Sequence, residues 1–129
     1  MPTLFISWHC STPPRRAIRK LPKPPEIQNS GLVTTEWVLA EFGDAYCHPN
    51  DRADFVSLYR SLANHPRVKI IPAETRLFQR GVDFFEQRSD KNWSLTDCLS
   101  FISMRDEGIT EALTGDKHFE QAGFTALLK

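Results

Sequence analysis

Three acidic residues, Glu41, Asp97 and Asp116, stand where the surrounding sequence favours apolar packing or a tight turn. Three carboxylates brought together repel one another and require a hard cation, and an all-oxygen set of ligands selects Mg²⁺ or Mn²⁺ over zinc. Such an ion suits phosphodiester hydrolysis, because it lowers the pKa of a bound water and stabilises charge on the phosphate. The three acids therefore predict a metal site of the kind that cleaves nucleic acids.

Glu41 lies at the border of an apolar helical stripe. It follows Trp37 by four residues and precedes Ala45 by four, so the three side chains share one side of a helix. Glu36 projects from the opposite side and is an acid that the helix dipole favours in the first turn. The alternative for Glu41 is a carboxylate at the rim of the stripe that pairs with an arginine.

Asp97 lies in a predicted helix from about Ser94 to Glu107, which carries apolar residues on two sides and should be buried on both. It faces the side of Phe101 and Met104, where a carboxylate without a partner is costly. The alternative is a capping box, in which Ser94 caps the helix and Asp97 reaches back to its amide. One carboxylate should not fill both roles completely, and Asp90 is a nearby loop acid that would support the site.

Asp116 follows a predicted strand in a turn formed with Thr114 and Gly115. Ligands of parallel α/β sheets gather beyond the carboxyl ends of the strands, so an acid there is well placed for function, and the Thr114 hydroxyl is available to a water or phosphate. The alternative is an ordinary turn or N-cap aspartate. Lys117 is placed to hold a phosphate electrostatically, whereas His118 is expected to be a surface or hydrogen-bonded histidine.

Strands are expected to alternate with helices along the chain. Apolar stripes with helical spacing fall at residues 37–45, 55–62 and 77–85, in addition to the helix that carries Asp97. This alternation predicts an α/β domain around a central, mostly parallel sheet. The strands are predicted in the short apolar runs Thr3–Ile6, Gly31–Thr34, Val68–Ile71, Glu111–Thr114 and Phe124–Leu128.

The 129 residues are expected to form one domain. Residues 1–25 contain five basic residues and no acid, whereas the remainder contains eleven basic and sixteen acidic residues. Residues 8–26 are an atypical segment rich in proline and arginine, for which a loop, an extended arm or local disorder is expected. Three cysteines without metal-site spacing, and the lack of a long apolar run, favour a reducing, cytoplasmic setting and no membrane span.

Three stretches of the sequence resemble acidic motifs of PIN domains, and in particular those of VapC-type toxins from toxin–antitoxin pairs. The resemblance covers about residues 30–129, in order and at the spacing of the family. It implies a PIN-like three-layer domain, with a parallel sheet flanked by helices. The stretches are Leu32-Val33-Thr34-Thr35-Glu36-Trp37-Val38-Leu39-Ala40-Glu41, Trp93-Ser94-Leu95-Thr96-Asp97-Cys98 and Ala112-Leu113-Thr114-Gly115-Asp116-Lys117-His118-Phe119.

The resemblance also implies an activity and partners. The activity is that of a Mg²⁺- or Mn²⁺-dependent endoribonuclease acting on structured RNA, and the partners are a small cognate antitoxin and a second copy of the chain. Glu41, Asp97 and Asp116 would be the catalytic metal ligands, with Thr114, Asp90 and Ser7 in support.

The chain departs from the family pattern at the first strand, which in PIN domains ends in an aspartate. Ser7 takes that position here, so metal binding and RNA cleavage are expected to be impaired. The alternative is an inactive PIN-like protein that binds RNA or an antitoxin. We hypothesise that residues 7–26 result from a pair of compensating frameshifts; an intact reading frame in the source DNA, with close relatives that share this segment, would contradict that.

Two further alternatives rest on short motifs. Pro22-Lys23-Pro24-Pro25 is a candidate polyproline ligand for a protein partner, and deletion of residues 8–26 would test it. The pairs His9-Cys10 and Cys47-His48 are a candidate zinc site of awkward geometry, which stoichiometric zinc in the purified protein would support.

Overall fold

A computed structural model describes residues 3–7 and 31–128 of the chain. The atypical segment 8–26, with its proline-rich motif and the pair His9-Cys10, lies outside the described residues. The described strands are β1 (Thr3–Ile6), β2 (Gly31–Thr35), β3 (Val68–Ile71), β4 (Glu111–Leu113) and β5 (Thr125–Ala126). The described helices are α1 (Glu36–Asp44), α2 (Arg52–Asn64), α3 (Thr75–Gln87), α4 (Leu95–Glu107) and α5 (Lys117–Gln121).

The five strands form one sheet in the order β3-β2-β1-β4-β5, and every described pair of neighbours is parallel. The register pairs Phe5 of β1 with Val33 of β2 and with Ala112 of β4. The α/β fold with a parallel central sheet and flanking helices is therefore confirmed. Because all strands run the same way, their carboxyl ends meet at one edge of the sheet, where a site is expected.

The sheet is buried on both faces, as parallel sheets are. Phe5 and Val33 belong to one apolar cluster, which includes Trp93, Phe101 and Phe119. The alternate strand residues face the other way, into a second cluster that contains Ile6, Leu32, Leu39 and Leu62. The period of two along each strand thus divides the core into an aromatic layer and an aliphatic layer.

The helix that carries Asp97 is the most enclosed helix described. All seven residues from Cys98 to Met104 are buried, which confirms that α4 is covered on two sides. It packs closely against α3, where a Cβ at Gly81 would come within 2.3 Å of the Leu99 side chain. Helix α4 is followed by its C-cap Gly108, whose φ of 68° is a left-handed conformation that glycine adopts without strain.

The structure corrects three details of the prediction. Strand β5 covers only Thr125–Ala126, and the residues after Asp116 form the short helix α5, which only the alternative interpretation of Asp116 as an N-cap implied. The predicted stripes at residues 55–62 and 77–85 contain Tyr59, Phe78 and Phe85, but each of these side chains is at least 40% exposed, on the outer side of its helix. No helix in the described part of the chain is long and apolar enough to cross a membrane.

Candidate metal centre

The carboxyl edge of the sheet brings together the ends of β1, β2 and β4. Ile6 pairs with Leu113, so the register places the next residues, Ser7 and Thr114, side by side at this edge. The Thr34 hydroxyl of β2 donates a hydrogen bond to the Ile6 carbonyl at 3.1 Å, which joins β2 to the end of β1. The edge is thus fixed by side-chain as well as backbone hydrogen bonds.

Asp97 is the third residue of α4 and completes a capping box. Its amide donates to Ser94 Oγ at 3.0 Å, and its Oδ2 accepts from the Ser94 amide at 3.1 Å. The predicted capping role is therefore confirmed, yet it uses only Oδ2. The same Oδ2 lies 3.0 Å from His118 Nδ1, and the expectation that one carboxylate does not fill both roles completely stays a prediction. The side chain is 14% exposed.

Asp116 is the N-cap of α5, as the alternative interpretation of its turn predicted. Its Oδ1 accepts a hydrogen bond from the His118 amide at 2.9 Å, and its own amide donates to Thr114 Oγ1 at 3.1 Å. Thr114 is buried, so its hydroxyl serves the backbone of the turn and holds Asp116 in place. The Asp116 side chain is only 8% exposed.

His118 joins the two acids. Its Nδ1 lies 3.0 Å from Asp97 Oδ2 and 3.5 Å from Asp116 Oδ1, and its side chain is 21% exposed. Each of the three residues offers one ligand atom, and these atoms all lie within 4.8 Å of one another. Within residues 3–7 and 31–128, this is the one group of three such residues that is close enough to hold a metal ion. The prediction of a hydrogen-bonded histidine is confirmed, but its place between the acids was missed.

Aromatic packing fixes the distance between the two acids. Phe101, one turn after Asp97, makes an edge-to-face contact with Phe119, one residue after His118, at 4.9 Å between ring centroids. The ring centroid of Phe119 also lies 6.4 Å from that of Phe5 on β1, and the ring centroid of Phe101 lies 5.0 Å from that of Trp93. Such contacts hold rings in specific orientations. The contact between Phe101 and Phe119 therefore packs α4 against α5 close to the two carboxylates.

The other predicted site residues lie outside this group. Glu41 is half-buried on α1, five residues after the start of that helix, and it does not belong to the group of three ligand atoms. Asp90 is exposed and forms a two-point ion pair with Arg88 at 3.0 and 3.2 Å, which holds the pKa of Asp90 below its usual value. The role of Glu41 as a metal ligand and the role of Asp90 in supporting the site remain predictions.

Ser7 is half-buried and follows β1 directly. Continuing the alternation of β1 places its side chain on the same side of the sheet as Phe5, whose ring packs near Phe119. The position that a first acid would occupy thus faces the layer that carries α4 and α5. A neutral hydroxyl stands there.

Glu36 has a structural role that the sequence did not reveal. Its Oε1 accepts a hydrogen bond from the Ala73 amide at 2.6 Å, which ties the start of α1 to the segment after β3. The partner is 37 residues away in the sequence, so no local pattern could have predicted it.

The second half of the candidate zinc site has no support among the described residues. Cys47 and His48 are both exposed, and His48 Nδ1 accepts a hydrogen bond from the Asn50 amide at 3.1 Å. The two residues belong to no described group of three ligand side chains. The partner pair His9-Cys10 lies outside the described residues, so the zinc site remains an untested alternative.

The donors of the group fit a divalent cation. Two carboxylates held within 4.8 Å of each other, with little access to water, repel one another and favour a positive charge between them. Carboxylate oxygens suit Mg²⁺ and Mn²⁺, and imidazole nitrogen suits transition-metal ions. The residues that are present therefore fit the kind of ion that the sequence predicted.

No protein-family model matches the chain, and no curated protein matches its sequence. Among solved structures, the crystal structure of Mycobacterium tuberculosis VapC20, described as a sarcin-ricin loop cleaving toxin, is similar to it. The similarity has a TM-score of 0.72 at 21% sequence identity, and it covers 96% of this chain and 98% of that chain. Together with the parallel sheet and its flanking helices, this similarity shows that the chain has the fold of a VapC-like PIN domain.

Proposed function

We propose that the protein is a metal-dependent endoribonuclease of the VapC-like type, which hydrolyses phosphodiester bonds of RNA. The observation that carries this proposal is the close pair of carboxylates at the carboxyl edge of the sheet, buried Asp116 and partly buried Asp97. Burial of two acids side by side costs free energy unless a cation or hydrogen-bond donors compensate them. A metal ion bound between the two acids would supply this compensation together with the amides of Ser94 and His118.

Asp97 and Asp116 would hold Mg²⁺ or Mn²⁺, and Glu41 is proposed to add a third carboxylate from α1. The bound ion would activate a water and neutralise charge on the scissile phosphate. Ser94 and Thr114 fix the two aspartates through the hydrogen bonds described above, so little reorganisation is needed when RNA binds. Lys117 is exposed next to Asp116, where its ammonium group can attract the RNA backbone.

The activity is proposed to be weak, because Ser7 stands where the family pattern has an aspartate. A hydroxyl is neutral and binds a hard cation less well than a carboxylate does. The loss of one negative charge should lower the affinity for the ion and misplace the activated water. The fold itself does not depend on that charge, since β1 pairs with both neighbours in full register.

The proposed partners follow from the type of toxin. They are an RNA substrate, a cognate antitoxin that covers the site, and a second copy of the chain, and the proposed location is the cytoplasm, where RNA is found. Three exposed apolar residues on α3 support a protein partner, because an apolar stripe on a surface helix often marks an interaction site. They are Phe78, Val82 and Phe85.

The proposal is tested by titrating Mg²⁺ and Mn²⁺ into metal-free protein and following the cleavage of a structured RNA. We expect slow cleavage that requires the ion and stops on chelation. Asp97→Asn and Asp116→Asn keep the shape of each side chain but remove the charge, so each should reduce the rate by at least about 100-fold, the scale of losing a major electrostatic contribution.

The matched control is Asp83→Asn, which changes an exposed aspartate on α3 and should leave the rate unchanged. Cleavage that persists in Asp116→Asn would show that another nuclease contaminates the sample or that the site is wrong. Tight RNA binding without cleavage in the wild type, at any concentration of either ion, would replace the proposal with the alternative of a binding protein.

A further inference from the structure

The site contains a ring nitrogen beside the carboxylates, which the prediction of an all-oxygen site did not include. His118 Nδ1 lies between the two carboxylates, at 3.0 Å from Asp97 Oδ2 and 3.5 Å from Asp116 Oδ1. The ring is held in this position, because the His118 side chain is four-fifths buried. The His118 backbone amide also donates a hydrogen bond to Asp116. Its position is fixed by the same α5 turn that fixes the acid.

These spacings suit hydrogen bonds within the group and also fit ligand atoms around one ion. Adjacent ligand atoms of an octahedral ion with bonds of about 2.1 Å lie about 3.0 Å apart, and opposite ligand atoms lie about 4.2 Å apart. The separations from Nδ1 to the two oxygens fall within or close to this range, and no pair of the three ligand atoms exceeds 4.8 Å. An ion could therefore take all three atoms with shifts of a fraction of an ångström.

A mixed set of two oxygens and one nitrogen changes which ion is preferred. Mg²⁺ requires oxygen ligands and dehydrates reluctantly, whereas first-row transition-metal ions accept imidazole as well as carboxylate. Nδ1 coordinates when the ring proton is on Nε2, a tautomer available to neutral histidine. Nitrogen ligation therefore adds affinity for Mn²⁺ that it does not add for Mg²⁺.

We propose that His118, through Nδ1, is the third ligand of the metal centre with Asp97 and Asp116, and that it makes the site selective for a transition-metal dication over Mg²⁺. This inference rests on the proposed function only for the presence of an ion at the site. It assigns to His118 a contribution that compensates in part for the missing carboxylate at Ser7, since a neutral ligand restores a coordination bond but not a charge.

The test measures metal binding rather than RNA cleavage. The affinities of the full chain for Mn²⁺ and Mg²⁺ are measured by calorimetry, and pulsed electron paramagnetic resonance of the Mn²⁺-loaded protein detects a directly bound nitrogen. We expect Mn²⁺ to bind at least about tenfold more tightly than Mg²⁺, with a nitrogen coupling in the spectrum. In His118→Ala, the coupling should disappear and the Mn²⁺ affinity should fall by at least about tenfold, while the Mg²⁺ affinity changes little.

Two further variants make the result specific. His118→Asp supplies an oxygen in place of the nitrogen and should shift the preference toward Mg²⁺. His65→Ala removes a histidine at the end of α2, whose ring Nδ1 accepts a hydrogen bond from the local Arg67 amide, and should change neither affinity. Circular dichroism of each metal-free variant establishes that the fold is retained.

Each outcome decides the proposal. An unchanged Mn²⁺ affinity in His118→Ala, or wild-type protein that binds Mn²⁺ without a nitrogen coupling, would overturn it. A higher affinity in His118→Ala would also overturn it, because His118 would then compete with the ion for the carboxylates. The proposed nuclease function can fail separately. If the protein binds Mn²⁺ with the nitrogen coupling but does not cleave RNA, His118 is a ligand and the nuclease proposal is wrong. If the protein cleaves RNA with Mg²⁺ and no nitrogen coupling is found, the nuclease proposal stands and the assignment of His118 is wrong.

Discussion

The two halves of the candidate site are built in different ways. The first half, at the ends of β1 and β2, contains Ser7 and Glu41; the second half, on α4 and α5, contains Asp97, Asp116 and His118. In the second half, the three potential ligand atoms are already close together, within 4.8 Å of one another. In the first half, Ser7 carries no charge and Glu41 does not belong to that group. The fold therefore holds one group of potential ligand atoms together, while the other predicted ligand, Glu41, lies outside that group.

The physical reason is the kind of contact that holds each half. Hydroxyl groups anchor the first half, where Thr34 bonds the Ile6 carbonyl and Thr35 accepts from the Val38 amide, each at 3.1 Å. Both halves border the aromatic core, the first through Phe5 and Val38. In the second half, however, the edge-to-face contact of Phe101 and Phe119 joins the two helices that carry the potential ligand atoms, in addition to the caps. Buried aromatic packing contributes more free energy than a hydrogen bond does. The second half should therefore be the rigid part of the site.

The largest effect is expected from Phe119→Ala. Phe119 is fully buried between Phe101 and Phe5, so its truncation leaves a cavity and should lower the free energy of unfolding by about 3–5 kcal/mol. Urea denaturation of the metal-free protein measures it. Phe85→Ala, which removes an exposed ring on α3, is the matched control and should cost less than about 0.5 kcal/mol.

A loss below about 1 kcal/mol in Phe119→Ala would mean that the aromatic core does not hold α5 in place. The explanation of the rigid half would then be wrong. If the variant is too unstable to purify, the smaller change Phe119→Leu, which keeps an apolar side chain of similar size, still separates the two outcomes, with an expected loss of about 1–2 kcal/mol.

This contrast also explains which features the sequence could predict. The capping box at Ser94 and the strand before Asp116 were both predicted from the sequence. Each depends on a pattern of residue types that spans only a few neighbouring positions. Helix α5 was missed, since five residues are too few to give a helical period. The position of His118 was missed because Asp97 is 21 residues away, and only the packing of α4 against α5 brings them together.

The second expected effect is a gain, from Ser7→Asp. Ser7 lies at the carboxyl edge beside Thr114, on the side of the sheet that carries the second half of the site. An added carboxylate there should complete the first half and raise metal-dependent RNA cleavage by at least about tenfold, equivalent to about 1.4 kcal/mol in the barrier. Initial rates with a structured RNA at saturating Mn²⁺ measure it.

Ser57→Asp, which adds the same charge to an exposed position on α2, is the control and should leave the rate unchanged. If Ser7→Asp has no effect while the protein stays folded, the lack of a first acid does not explain weak activity. The rate of cleavage would then be limited by the position of Glu41 rather than by the missing negative charge at residue 7.

The smallest effects come from a matched pair of helix caps, one in each half. Ser94→Ala removes the side chain that caps α4, and Thr35→Ala removes the cap of α1, so each should lower the free energy of unfolding by about 1 kcal/mol. Their effects on the metal site should differ. Without Ser94, one partner of the Asp97 capping box is lost, and Mn²⁺ affinity should fall a few-fold. Thr35→Ala leaves the second half intact and should leave that affinity unchanged.

Thermal unfolding and Mn²⁺ calorimetry on the same samples separate stability from binding, and Ser94→Thr, which restores a capping hydroxyl, should recover both values. Equal losses of Mn²⁺ affinity in Ser94→Ala and Thr35→Ala would refute the division of the site into two halves. The binding of the ion would then depend on α1 as much as on α4. That result would place Glu41 at the ion when the metal is bound. An effect confined to Ser94→Ala would instead mean that Asp97, Asp116 and His118 bind the ion by themselves.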